Sequence, residues 1–159
     1  MSESNLLADL NTHRIEGIAR MGNKVFSVPL YSHIVGNLWT GGCPVDSVPD
    51  EFKFVVCLYP WESYRVPMET THLKAMLYDA EDMPDKDVLY ALADYVNAVS
   101  KIGMTLVHCQ AGLNRSALVA TLALMRSGMT ADGAINLMRE KRCDAVLCNQ
   151  AFETWLRQQ

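Results

Sequence analysis

No stretch of this chain is long and apolar enough to cross a bilayer. The longest apolar run, Ala117 to Met125, falls well short of the roughly 20 residues a spanning helix needs. A basic-then-apolar leader is also missing, so neither secretion nor a membrane partner is expected. There is no basic surplus: 14 Lys and Arg stand against 18 Asp and Glu, for a net charge of −4. General affinity for nucleic acid or anionic lipid is thereby disfavoured, and any phosphate recognition must be local. The five cysteines are odd in number and contain no Cys-x-x-Cys pair, which argues against a disulfide framework and for a reducing, cytoplasmic setting. His13, His33, His72 and His108 form no cluster at ligand spacing, and Cys143 and Cys148 lack the paired partners of a zinc site. Neither a metal nor another cofactor is therefore expected. Repeats and low-complexity tracts are absent, and Gly and Pro fall at ordinary intervals, so residues 1–159 read as one domain and a monomer.

Against these absences stands one dense segment, His108-Cys109-Gln110-Ala111-Gly112-Leu113-Asn114-Arg115-Ser116. The run before it, Met104 to Val107, has the length and apolarity of a buried strand. The run after it, Ala117 to Met125, is apolar on every side and stops before Gly128, as a buried helix does. A turn from strand to helix points successive N–H groups into one concavity and adds the positive end of the helix dipole, an arrangement suited to an anion. In that setting Cys109 reads as a thiolate nucleophile and not merely as a small buried hydrophobe. Arg115 can fork onto two phosphate oxygens. Gly112 supplies a backbone free to take positive φ, and the amides of Gln110, Ala111, Gly112, Leu113 and Asn114 would line the cradle. Ser116 is placed to donate to the sulfur when it leaves, and His108 to orient the loop.

HCQAGLNRS closely resembles the HCxxGxxR[S/T] phosphate-binding loop of the cysteine-dependent protein tyrosine phosphatases, and is most similar to the dual-specificity branch. The resemblance extends over about residues 31–157. Ile34 to Gly41 is similar to the family's first strand, Phe54 to Leu58 to its central strand, and Asn149-Gln150-Ala151-Phe152 to the Asn-x-x-Phe element opening its last helix; residues 1–30 stand outside as an extension. What it implies is an α/β fold with a small, mostly parallel central sheet, helices on both faces and the loop at the carboxyl ends of the strands. It also implies a two-step displacement through a phosphocysteine on Cys109, with an upstream aspartate as general acid and then base.

Two aspartates are candidates for that acid, Asp79 and Asp82, standing 30 and 27 residues before Cys109. Family spacing and the alignment of the following helix through Tyr95, Val96 and Val99 favour Asp79. The pattern Glu81-Asp82-Met83-Pro84 resembles a variant of lipid-directed relatives and favours Asp82. The expected substrate is a phosphorylated protein or peptide, bound in a shallow site that accepts phosphotyrosine and phosphoserine or phosphothreonine. A lipid, nucleotide or RNA 5′-phosphate, or phosphate binding without turnover, remain alternatives; the absence of lysine from the loop disfavours lipids. Trp61, Tyr64 and Arg65 are candidates for a pocket wall, with packing as the competing role. Cys57 is a candidate redox partner of Cys109, though a buried structural thiol is the simpler reading.

Helices are expected over Val88 to Lys101, Ala117 to Ser127, Ala131 to Lys141 with Thr130 as cap, and Asn149 to Arg157, with a short one over Leu6 to Ala19. Asp85 and Asp87 are the expected caps before Val88. Strands are expected near Ile34, Phe54, Leu73 and Leu106.

Overall fold

The computed structural model describes residue 10 and residues 13–159. Five strands form one sheet in the order β3-β4-β7-β5-β6. They are β3 (Tyr31–Val35), β4 (Leu38–Gly41), β7 (Thr105–His108), β5 (Phe54–Cys57) and β6 (Thr71–Lys74). Only the β3–β4 pair is antiparallel; β4–β7, β7–β5 and β5–β6 run parallel. The mostly parallel sheet is thus as expected, with β7, the strand that delivers the phosphate loop, at its middle. Ile34 to Gly41 forms two strands instead of one, because Gly36 (φ 54) and Asn37 turn the chain back on itself.

Strand alternation divides the interior. Val56, Val107 and Leu38 face the larger cluster, which also holds the buried residues of α1 (Lys86–Ser100), α2 (Arg115–Arg126), α3 (Ala131–Lys141) and α4 (Gln150–Arg157). Val55, Leu106 and Trp39 point the other way, toward Leu10, Tyr31, Val48 and Phe52. Among the described residues, then, α1 to α4 pack on one face, and the other is covered by loop segments together with the helical residue Leu10. The four helices start and stop close to their expected positions. Asp85 caps α1 by accepting from the amides of Asp87 and Val88, and Thr130 caps α3 by accepting from Gly133 N. Helix α2 is buried on every side from Arg115 to Leu124, which explains its lack of a polar face.

The expected helix over Leu6 to Ala19 is corrected where it can be seen. Leu10 is helical as expected, but Arg14–Ile18 is strand β1, paired antiparallel with β2 (Val25–Pro29), and residues 6–9 and 11–12 lie outside the described set. The turn between the two strands carries positive φ at both Gly22 (78) and Asn23 (49), the conformation that suits a tight hairpin.

Candidate active site

Parallel register sets the stage. Gly41 and Cys57 both lie opposite His108, so Cys109 leaves the sheet at the carboxyl end of β7, between two neighbouring strand ends. The loop that follows has its carbonyls held from outside. Gln110 O accepts from Cys43 N at 2.9 Å and Leu113 O from Leu147 N at 2.8 Å. Ala111 O and Gly112 O accept from the Arg142 guanidinium at 3.0 and 2.8 Å. With the carbonyls turned outward, the N–H groups of Gln110 to Asn114 face the concavity, and none has an acceptor among the described residues. Gly112 makes this path passable: its φ is +72, and a Cβ there would fall 2.5 Å from the carbonyl carbon of Gly41.

Cys109 is buried, and its Sγ lies 3.3 Å from the Ser116 hydroxyl. Above it begins α2, whose N-cap residue Asn114 makes no side-chain capping bond, so the first-turn amides stay uncapped beside the sulfur. Arg115 stacks its guanidinium 5.0 Å from the Tyr59 ring centroid, and its buried Nε has no partner among the described residues. A cation with a donor held in reserve, beside a nest of free amides and a thiol, is equipped for a tetrahedral oxyanion.

The histidine before the cysteine is buried completely, which pulls its pKa down to about 4 and leaves the ring neutral near pH 7. Its hydrogen bonds then define the tautomer. Nδ1 lies 3.0 Å from the carbonyl of Cys109, which can only accept, so Nδ1 carries the proton. Nε2 must accept, and it does so from the Tyr64 hydroxyl; the Tyr64 oxygen in turn accepts from His72 Nε2 at 3.0 Å. His108 thus orients the loop, in line with expectation. Tyr64 is a half-buried brace, not a pocket wall, and the Arg65 backbone pairs with Asp46 and Val48 in the cover of the second face.

The two candidate aspartates part company. Asp79 lines the same cavity as Cys109, of about 530 Å³, whereas Asp82 lines a separate groove with Met76, Met83, Pro84 and Val88. Both oxygens of Asp79 are held: Oδ2 accepts from Asn114 Nδ2 at 2.9 Å and Oδ1 from Asn149 Nδ2 at 2.8 Å. Buried Asn149 caps α4 by accepting from the amides of Ala151 and Phe152, and its backbone N–H donates to Asn114 Oδ1 at 2.9 Å. One residue therefore ties the Asp79 loop, the phosphate loop and the last helix together. Leu147, a non-glycine at φ 60, turns the chain just before it, a strain of about 1–3 kcal/mol accepted beside the site.

Trp61 does line the cavity, together with Tyr59, Tyr78, Cys148 and the hairpin residues Ile18, Arg20 and Phe26. The hairpin and Arg142 are the parts that sequence reasoning missed. Arg142, almost fully buried just past α3, also donates to Pro29 O at 2.9 Å and to Ser32 Oγ at 3.0 Å. Arg142→Met would leave those acceptors unpaired, and we expect a stability loss of about 3–5 kcal/mol, read by denaturant unfolding, with phosphatase activity falling in parallel. Wild-type stability in the variant would refute that role. The five thiols are free, and Cys57 is buried on β5.

A thiol, an arginine and a nest of free amides between a parallel strand and a buried helix define a cysteine-dependent phosphatase. The family model described as dual specificity phosphatase, catalytic domain matches residues 51–159, and the chain belongs to that family. Its fold is similar to that of human DUSP28 (19% identity, TM-score 0.69, covering 82% of this chain and 92% of that one). It is also similar to human tyrosine phosphatase-like serine/threonine/tyrosine-interacting protein (16%, 0.67, 80% and 93%) and to Tk-PTP in its active form (20%, 0.58, 82% and 98%). Among curated proteins no sequence relative matches.

Proposed function

We propose that this chain hydrolyses phosphorylated protein or peptide side chains through a phosphocysteine on Cys109. The observation that carries the reading is the shared cavity: Cys109, Arg115 and Asp79 all line it, and the phosphate-loop amides face inward. In the first step the thiolate sulfur attacks phosphorus in line, the S–P bond forms and the ester P–O bond breaks. The loop amides and Arg115 hold the three equatorial oxygens, whose charge they match in the transition state. Asp79 gives its proton to the departing oxygen, one of its oxygens turning from its amide partner to do so. In the second step the same carboxylate takes a proton from water, the water oxygen attacks phosphorus, and the sulfur leaves with the Ser116 hydroxyl donating to it. Cofactor chemistry has no part in this sequence, and the domain is proposed to act as a monomer in a reducing compartment.

The reading is tested by p-nitrophenyl phosphate turnover in reductant with a metal chelator, alongside acid quench and mass measurement during turnover. We expect chelator-resistant hydrolysis and a fraction of the chain heavier by one phosphoryl group on the peptide containing Cys109. Folded protein that shows neither would sink the proposal.

A further inference from the structure

The family match begins at residue 51, yet part of the cavity wall comes from β1 and β2, well before it. Ile18, at the end of β1, is 68% exposed and lines the cavity, so its side chain is open to a ligand there. Phe26 and Ala19, both buried, anchor the hairpin to the main core and hold Ile18 in place. Tyr59, Trp61 and Tyr78 also line the cavity and stack in series, with centroids 5.0 Å and 5.5 Å apart. Tyr59 meets the Arg115 guanidinium, so this file of rings starts at the phosphate position and runs outward to the half-exposed Trp61 and Tyr78. Arg20 completes the lining from the hairpin turn. It is exposed, forms no ion pair among the described residues, and is the only cation in the lining besides Arg115.

Resting on the phosphatase reading above, we propose that the hairpin and the ring file form a side-chain-reading subsite that takes the aryl ring of phosphotyrosine, with Arg20 pairing to an acidic residue beside it in the peptide. The chemistry selects that occupant. Rings gain from an aromatic partner what a serine or threonine Cβ cannot, because only the aryl ester spans from the phosphate nest to a ring surface. Arg20 adds an unpaired positive charge at the rim of a chain that is otherwise net acidic, which favours a peptide carrying the opposite sign there. This narrows the shallow, dual-acceptance site expected from the sequence.

The test measures kcat/KM for matched peptides: phosphotyrosine with acidic neighbours, phosphotyrosine with neutral neighbours, and phosphothreonine with acidic neighbours. Wild type should favour phosphotyrosine over phosphothreonine by at least about tenfold. Trp61→Ala and Ile18→Ser should each cut that ratio by about three- to tenfold. The acidic-neighbour preference should be about threefold and should reverse in Arg20→Glu. Each readout is a ratio within one protein preparation, so loss of folded enzyme cancels. Ratios that are flat in wild type, or unmoved in the variants, overturn the subsite while p-nitrophenyl phosphate turnover leaves the phosphatase reading standing. A dispersed inositol phospholipid cleaved faster than every peptide also overturns it. Failure on all substrates removes the phosphatase reading itself.

Discussion

Cys109→Ser is expected to lower hydrolysis of p-nitrophenyl phosphate by about 10⁴-fold or more, to the limit of detection. The reason lies in what surrounds the nucleophile. A thiol attacks without a base to activate it, being intrinsically the stronger nucleophile, and here it faces the uncapped amides at the start of α2 and the loop nest. A serine hydroxyl does need one, and His108 cannot serve: Nδ1–H is committed to the Cys109 carbonyl and Nε2 to the Tyr64 hydroxyl. Asp79 is held by two amides and is the proposed acid of the same step. The variant should still bind orthovanadate or inorganic phosphate, since the amides and Arg115 are untouched. Retained binding with lost turnover separates the nucleophile from the cradle. A variant keeping more than a few per cent of wild-type kcat would show that Cys109 is not the attacking atom.

The fold was largely legible because its signals were local. The loop motif, the apolar run inside α2 and the polar residues Asp85, Thr130 and Asn149 at helix starts are each readable within a few residues, and all four helices lie where these signals put them. The hairpin was also written locally, in Gly22-Asn23 flanked by residues that alternate in β2, but in the sequence Ile15 and Ile18 continue the apolar spacing that begins at Leu6 and so read as part of one helix. Its pairing partner settles the matter: Gly17 lies opposite Phe26 in the antiparallel ladder, a pairing invisible one strand at a time. Arg142 was hidden for a different reason. A basic residue at a helix end is the ordinary partner of the helix dipole, and nothing in sequence shows that it reaches back more than a hundred positions to Pro29 and Ser32. The same holds for Tyr64, whose neighbours Trp61 and Tyr59 do line the cavity while it braces His108 from the opposite face. Alternation along β7 decides which: Leu106 and His108 point to that second face, and Val107 to the helices.

Asp79→Asn should separate the acid from its rival. For an ester with a poor leaving group, such as phenyl phosphate or a phosphotyrosine peptide, kcat should fall by about 10²–10³-fold, because the departing alkoxide or phenoxide then leaves without a proton. For a good leaving group, such as a fluorinated coumarin phosphate, the loss should stay within about tenfold, since that anion needs little protonation. A plot of log kcat against leaving-group pKa should accordingly be nearly flat in wild type and steep in the variant. The substitution also turns an amide N–H₂ toward Asn114 or Asn149, both of which already donate to this side chain. That structural cost depresses every substrate alike, so the slope, not the rate, carries the assignment. Asp82 sits in a groove that Cys109 does not reach, and Asp82→Asn should leave both the slope and the rates within about twofold of wild type. A steep slope in Asp82→Asn with a flat one in Asp79→Asn would transfer the role to Asp82. It would also mean that the loop from Tyr78 to Pro84 swings during turnover, bringing the groove side of the chain over the phosphate.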